Sequence, residues 1–386
     1  MEKTLEASEG ANAPARTIRE YRRAEATIRV GEDALRPTLR PEVSLVVAAI
    51  DDQRSLLFSP ETALSRDELE LIDILGNSLL IDRLLPSSPL AVGQTWKPSR
   101  TLLAQLLGLD AVGQSDVQCE LIEVTDSVGR FQMTGSLAGT VHGVATQIQL
   151  KSKYRYDRRS RRIDWFALSM KEVRAVALVA QGFDVVAQVQ VRIVPKSSVP
   201  DAFAPERLEG LTLEPGKAAE ALIYEPPGSD WQLAHNRQWF VTRDAPDLVE
   251  LRLVGRGELV AQCSISPLPR VPVEKLPSLE RFQEDVRRAL GDRFERFVSA
   301  GQWANDAECR VYRVVVSGTA QAELKQTAAK VPIEWRYYLV VNQEGRRIVL
   351  AVTAEAELAE RLGDADRELA DAIRFTASSS AAENAK

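Results

Sequence analysis

Histidine and cysteine, the side chains most often recruited for acid–base, nucleophilic or metal chemistry, are scarce: two histidines and three cysteines in 386 residues. His142 lies in GTVHGV, a loop or bend with no nucleophile beside it, and His235 lies in DWQLAHNRQW between two tryptophans, where capping or surface packing suits it better than general-base work. Cys119, Cys263 and Cys309 are far apart, form no C-x-x-C pair, and each sits inside an apolar–polar alternation. That pattern reads as three small buried hydrophobes, with a Cys263–Cys309 bridge as the alternative. The acidic pairs Asp51/Asp52 and Asp364/Asp366 fit a turn and a helix surface. A glycosidase-type carboxylate dyad stays open, because its members need not be neighbours in the chain. No G-x-S-x-G, P-loop, H-E-x-x-H or G-x-G-x-x-G occurs. The expectation is a protein without catalytic residues, cofactor or metal.

Two other groups of side chains could bind rather than react. The first is basic: Lys151, Lys153, Arg155, Arg158, Arg159, Arg161 and Arg162 crowd one strand and the turn after it. Such a set can meet an anionic surface such as lipid head groups, acidic glycan or nucleic acid. A solvated strand face, partly neutralised by Asp157 and Asp164, is the plainer reading. The second is apolar: Trp96 with Leu102, Leu103, Leu106 and Leu107 could line an acyl-sized cleft under a curved sheet, or could be ordinary core. The net charge of −6, from 49 basic and 55 acidic residues, speaks against a dedicated duplex nucleic-acid binder.

The elements that carry these groups follow from periodicity. In Val144–Tyr156, Ile148, Leu150, Tyr154 and Tyr156 share one parity, and Gln147, Gln149, Lys151, Lys153 and Arg155 the other. Strict alternation marks a strand with one buried and one wet face. DRRS turns the chain, RRIDWFALSM returns it, and Asp184–Val194 repeats the device with Val185, Ala187, Val189, Val191 and Ile193 facing in. The first half is therefore a long antiparallel meander. Ahead of it, Thr17–Val30 and Val43–Phe58 read as strands. Ser65–Glu68 caps a helix carrying Leu69, Ile72, Leu75 and Leu79 and ending by Pro86. A second helix follows Ser99 and ends at Gly108. Gly135, Gly139 and Gly143 mark bends or a tight connection.

Residues 1–16 are polar and expected to be disordered, and six prolines between Pro195 and Gly228 suggest a linker over 196–229. Beyond it, helices alternate with strands: extended runs at Trp239–Val241, Asp247–Leu253 and Glu258–Pro267, a helix at Leu279–Leu290, and strands at Cys309–Ser317, Ile333–Val341 and Ile348–Thr353. A helix over Glu355–Phe375 and a frayed tail over 376–386 complete the second half. No apolar run is long enough to cross a bilayer, and the start carries no apolar signal core.

The second half, residues 230–375, resembles the Mog1/PsbP-like α/β sandwich. The resemblance rests on the Trp231/Trp239 opening, the helix after LPSLERF, the strand CRVYRVVVSG, the pair IEWRYYLVV–NQEG–RRIVLAVTAEAE, and the ending AIRF. It implies binding or scaffolding within larger assemblies. The first half, residues 17–195, resembles β-rich domains of bacterial envelope lipoproteins, through LLIDRLLPSSPLAVGQTW and the meander after it; this implies a periplasmic or envelope location, against which the missing signal core leaves the cytoplasm open. The whole reads as an α+β protein, a curved antiparallel sheet with covering helices followed by the sandwich. Its expected role is a noncatalytic envelope binding or scaffold protein with a protein partner. The alternative is a carrier of a lipid-like ligand, and a hydrolase ranks below both.

Overall fold

The computed structural model describes residues 1–7, 14–30, 32–50, 55–176, 182–255, 258–324 and 327–376. They form two compact units, Met1–Glu220 and Ala221–Lys386.

In the first unit, β1 (Glu2–Ala7), β2 (Pro14–Glu20), β5 (Leu45–Ile50) and β6 (Ser55–Phe58) make a four-stranded sheet, with a small hairpin of β3 (Ile28–Val30) and β4 (Asp33–Leu35) apart from it. The larger sheet holds β7 (Thr95–Trp96), β8 (Ala111–Ser115), β9 (Gln118–Val124), β10 (Val128–Val141), β11 (Val144–Asp157), β12 (Arg162–Arg174) and β13 (Phe183–Arg192). Its order is β13-β12-β11-β10-β9-β7, with β8 also on β10. The parity read from sequence holds in β11: Ile148, Leu150, Ser152 and Tyr154 are buried, while Gln147, Gln149, Lys151 and Lys153 are exposed. β10 and β11 stay in register from Val128↔Asp157 to Val141↔Val144, so fourteen residues of each strand hold one face to the core. The glycines act as expected. A Cβ on Gly135 would lie 2.6 Å from Val117 Cα and one on Gly139 2.5 Å from Ala111 O, because β8 and its loop cross β10 closely there.

Three helices cover the apolar side. α1 (Arg66–Ile72) starts with a capping box between Ser65 and Glu68, α2 (Ser78–Ile81) follows, and α3 (Arg100–Leu107) is capped by Ser99 and ended by Gly108 at φ 67°. The single helix expected from Ser65 towards Pro86 is therefore two. Gly76, at φ 80° and pressed against Phe166, breaks it. Two further expectations are corrected. Residues 2–7 are not disordered: they pair with β2, and the Glu2 carboxylate accepts from Thr17 Oγ1 and Ser78 Oγ at 2.8 Å each. Residues 196–220 are not a free linker. They carry the short helices α4 (Pro205–Leu208) and α5 (Lys217–Glu220), and Phe203 is buried with Ile18 and Leu45. Prolines fix backbone shape in a packed segment as readily as in an open one, and apolar side chains between them decide which it is.

The second unit is built on a seven-stranded antiparallel sheet: β16 (Trp239–Ala245), β17 (Leu248–Gly255), β18 (Glu258–Leu268), β22 (Arg347–Glu355), β21 (Thr327–Val341), β20 (Arg310–Leu324) and β19 (Phe294–Ala304), in that order. A three-stranded sheet of β14 (Leu222–Tyr224), β15 (Trp231–His235) and β23 (Ile373–Phe375) joins α7 (Ala359–Leu362) and α8 (Ala365–Ala372) on one core; α6 (Leu279–Leu290) packs Phe282, Val286 and Leu290 on the other. Both faces of the middle strands are therefore buried. That explains the unbroken apolar run in CRVYRVVV, where Val311 serves one core and Tyr312, Val314 and Val316 the other. The helix expected over Glu355–Phe375 is interrupted by Gly363 at φ 55° and ends in β23. Strand β19 has mostly exposed side chains and so gave no alternation to read. With helices and antiparallel sheets in both units, the fold is α+β.

Candidate functional site

The wet face of the long meander brings together the groups that bind without reacting. Register sets two rungs across four strands: Gln132, Lys153, Ala167 and Gln190 on one, and Thr134, Lys151, Ser169 and Gln188 on the next. Neighbouring strands lie about 4.8 Å apart, so each rung spans roughly 14 Å. Trp165 stands beside them on the same face, opposite Arg155 and Arg192. The sheet's curvature makes this a shallow concavity of about 550 Å³, and a second of about 640 Å³, lined by Gln114, Ser136, Gln147, Gln149 and Lys171 among others, adjoins it.

The basic residues separate into three situations. Arg155 is clamped by Asp164 through Nε at 2.9 Å and Nη2 at 2.7 Å, and Arg162 reaches Asp82 at 4.0 Å. Arg158 donates to the Thr125 carbonyl at 3.0 Å, and Arg159 and Arg161 stand exposed on the turn after β11. Lys151 and Lys153 are exposed at the centre of the concavity, and among the described residues neither has an acidic partner. Two positive charges thus stand outside any ion pair among the described residues, amid amides, hydroxyls and one indole, with the nearest acid on their rungs, Glu120, taken up by Gln132 at 2.7 Å. Anions and hydroxyl-rich groups are what such a lining can hold. Parity identified the lysines from sequence. It also set Gln188 and Gln190 facing out and could equally have picked out Trp165, but only pairing shows that they lie side by side.

The apolar group lies elsewhere. Leu103, Leu106 and Leu107 are 0, 1 and 4 % exposed and Leu102 is 9 % exposed. Half-buried Trp96 donates its indole N–H to the Leu84 carbonyl at 3.2 Å and meets Phe131 edge-on at 5.9 Å, and Phe131 stacks on Tyr154 at 5.0 Å. These side chains are packed against their neighbours.

The remaining candidates stay dispersed. His142 is in the β10–β11 turn, whereas His235 is buried in β15 with Nδ1 2.9 Å from the Asn236 carbonyl. All three cysteines are free and buried; burial pushes the Cys119 thiol up to about 11 and raises those of Cys263 and Cys309 as well, so all are protonated at neutral pH. The Asp82 carboxyl, in contact with the Ile163 N–H at 2.6 Å, is also raised by burial. Burial works the same way on Glu2, but Arg19 and the Ser78 and Thr17 hydroxyls outweigh it and hold this carboxylate below its usual range. Asp366 is fully buried and receives Arg336 at 2.8 Å and the Tyr338 hydroxyl, so it locks α8 to the sheet and leaves no face for substrate. Asp51 and Asp52 lie outside the described residues, as do 377–386 of the tail. Among the described residues no three His, Cys, Asp or Glu side chains are grouped to hold a metal, and no helix is long and apolar enough to cross a membrane.

Fold and site together define a two-unit α+β protein with an open, cation-centred sheet face. No family model matches the chain, and no curated protein matches it. Among solved structures it is similar to the Ran-binding protein Mog1p of Saccharomyces cerevisiae, at 12 % identity over 41 % of this chain and 97 % of that one, with a TM-score of 0.31. A Bacteroides thetaiotaomicron protein is similar over 41 % of this chain and 49 % of its own, at 6 % identity and a TM-score of 0.27. The MucA/MucB complex of Pseudomonas aeruginosa aligns over 97 % of this chain and 91 % of its own, at 15 % identity and a TM-score of 0.13. Mog1p belongs to the fold group that residues 230–375 resemble. At these TM-scores the likenesses carry no argument, and the architecture rests on the strand order above.

Proposed function

We propose that this is a noncatalytic binding or scaffold protein of the bacterial cell envelope, and that it meets an anionic ligand on the wet face of its N-terminal sheet. The observation that carries the reading is the pair Lys151 and Lys153, set without ion-pair partners among the described residues in a concavity with Trp165, Gln132, Gln188 and Gln190. Cations attract the ligand over a distance, amides and hydroxyls satisfy its polar atoms, and the indole offers a flat apolar surface. Arg155 contributes less, because Asp164 already neutralises it through a two-bonded clamp on Nε and Nη2.

Retention on heparin and on phosphatidylglycerol vesicles tests this. The double variant Lys151→Glu/Lys153→Glu should bind at least tenfold more weakly, since a lysine near an anionic surface contributes about 1 kcal/mol. Binding by the unaltered protein should also fall steeply with added salt. Equal retention by the variant, with an unchanged circular dichroism spectrum, overturns the reading. Cell fractionation checks the location, and a broad hydrolase screen should stay silent. Hydrolysis abolished by a single acidic substitution would show that the protein is an enzyme instead.

A further inference from the structure

Among the described residues, strand β13 is an edge of the seven-stranded sheet, bonded to β12 alone. Its register with β12 is continuous from Arg174↔Phe183 to Trp165↔Arg192. One step beyond, Ile193 N–H donates to the Asp164 carbonyl at 2.9 Å. In an antiparallel ladder the bonded positions recur every second residue. The backbone groups of Val185, Ala187, Val189 and Val191 therefore turn to β12, and those of Asp184, Val186, Gln188, Gln190 and Arg192 turn outward.

Natural sheet edges are usually blunted by proline, bulges, inward charges or short length. This one has ten residues, no proline and no bulge, and it leaves Val185 41 % and Val186 65 % exposed. The residues expected to face in do lie on the inner parity. They are half-exposed or exposed.

We propose that two copies of this chain join through β13, antiparallel about a two-fold axis at Gln188, to make one continuous sheet. The sequence of the strand is complementary to itself in that register. On the wet face Asp184 faces Arg192 of the second copy, Val186 faces Gln190, and Gln188 faces Gln188. On the other face Val185 meets Val191 and Ala187 meets Val189, so a small side chain opposes a branched one. By symmetry both the ion pair and the apolar pairs form twice. All outward backbone groups meet outward groups. Sliding the strands by one allowed step either way instead sets Asp184 against Gln190 or Val194, and the charge match is lost. The Lys171 ammonium, 3.1 Å from Asp184 in the same chain, does not compete, since a carboxylate accepts from both sides. Charge complementarity thus selects a second copy as the occupant and fixes its register.

Sedimentation equilibrium on the full chain should show a reversible dimer. Asp184→Arg and Arg192→Asp, each placing like charges opposite one another twice, should each weaken it at least tenfold. The double exchange Asp184→Arg/Arg192→Asp should recover affinity to within about threefold of the unaltered chain. Disulfide trapping reads the register independently of affinity. Directly opposed Cα atoms about 5.5 Å apart suit a disulfide, so Gln188→Cys should cross-link between copies under mild oxidation. Gln190→Cys, displaced along both strands, should not, and the buried native cysteines stay silent. A monomer at all concentrations overturns the proposal, and so do single variants that dimerise unchanged, a double exchange that fails to recover, or cross-linking at position 190 instead of 188. Asp184 and Arg192 lie outside the lining of the anion-binding concavity, so the charge variants test the dimer separately from that reading.

Discussion

His142 shows how a reactive residue type can be held for its backbone. It lies at φ 48° and Gly143 at φ 74°, the left-handed pair of a two-residue hairpin turn between β10 and β11. A β-branched residue resists that conformation, so His142→Val should cost about 1–2 kcal/mol in chemical melts, whereas His142→Asn should be neutral or slightly stabilising. A catalytic or ligand role would reverse the ranking in an activity or binding assay. Asp82 makes the second residue-level prediction. Burial raises its folded-state pKa above the unfolded value, so its ionised form lowers stability at neutral pH. Asp82→Asn keeps an oxygen for the Ile163 N–H and should raise the Tm at pH 7. The gain should shrink as pH falls through the raised folded pKa and vanish below the ordinary aspartate value; a gain that persists in acid would show that charge is not the cause. Local parity was enough to separate Lys151 and Lys153 from the core. Asp164 was expected to neutralise part of the basic group, but which arginine it clamps depends on strand register, and Asp82 attending Arg162 depends on a helix distant in sequence.

Among the elements, strands with one wet face were the most legible, since a period of two leaves little ambiguity. Short helices were less so. Gly76 and Gly363 cut apolar patterns that otherwise continue at helical spacing, and β19 offers too few buried side chains to show any period. Polar contacts add to the apolar core that holds the broken C-terminal helix in place: Asp366 takes Arg336 and Tyr338, Arg336 also donates to the Gly363 and Ala359 carbonyls, and Trp303 Nε1 donates to Asp371 at 2.6 Å. Without the Asp366 carboxylate the Tyr338 hydroxyl loses its acceptor while Arg336 keeps Glu334 at 2.7 Å, so Asp366→Leu should cost about 1–3 kcal/mol in denaturant melts. If the loss were below 1 kcal/mol, the apolar stripe of α8 alone would suffice. For α3 the matching prediction separates core from cleft. Leu103→Ala should cost about 2–5 kcal/mol if its side chain fills packed space, and far less if it lines a solvent-filled pocket.

Over the whole molecule, the two halves were recognisable from a change in grammar, long alternating strands giving way to strands mixed with helices. The boundary was misplaced because six prolines looked like a linker, whereas Phe203 and Leu213 carry that segment onto the first unit's core. Every paired strand among the described residues finds its partners within its own unit, and each unit has apolar clusters of its own. Cooperative opening follows such clusters, so a lesion in one should propagate through the ladders it supports and stop where they stop. Hydrogen exchange should show this directly. Leu103→Ala should speed exchange across β8 to β12 while protection in β20 to β22 is kept, and Asp366→Leu should do the reverse. Uniform loss in both units from either substitution would mean that they unfold as one body, and the division into a binding sheet and a separate sandwich would then have no thermodynamic meaning.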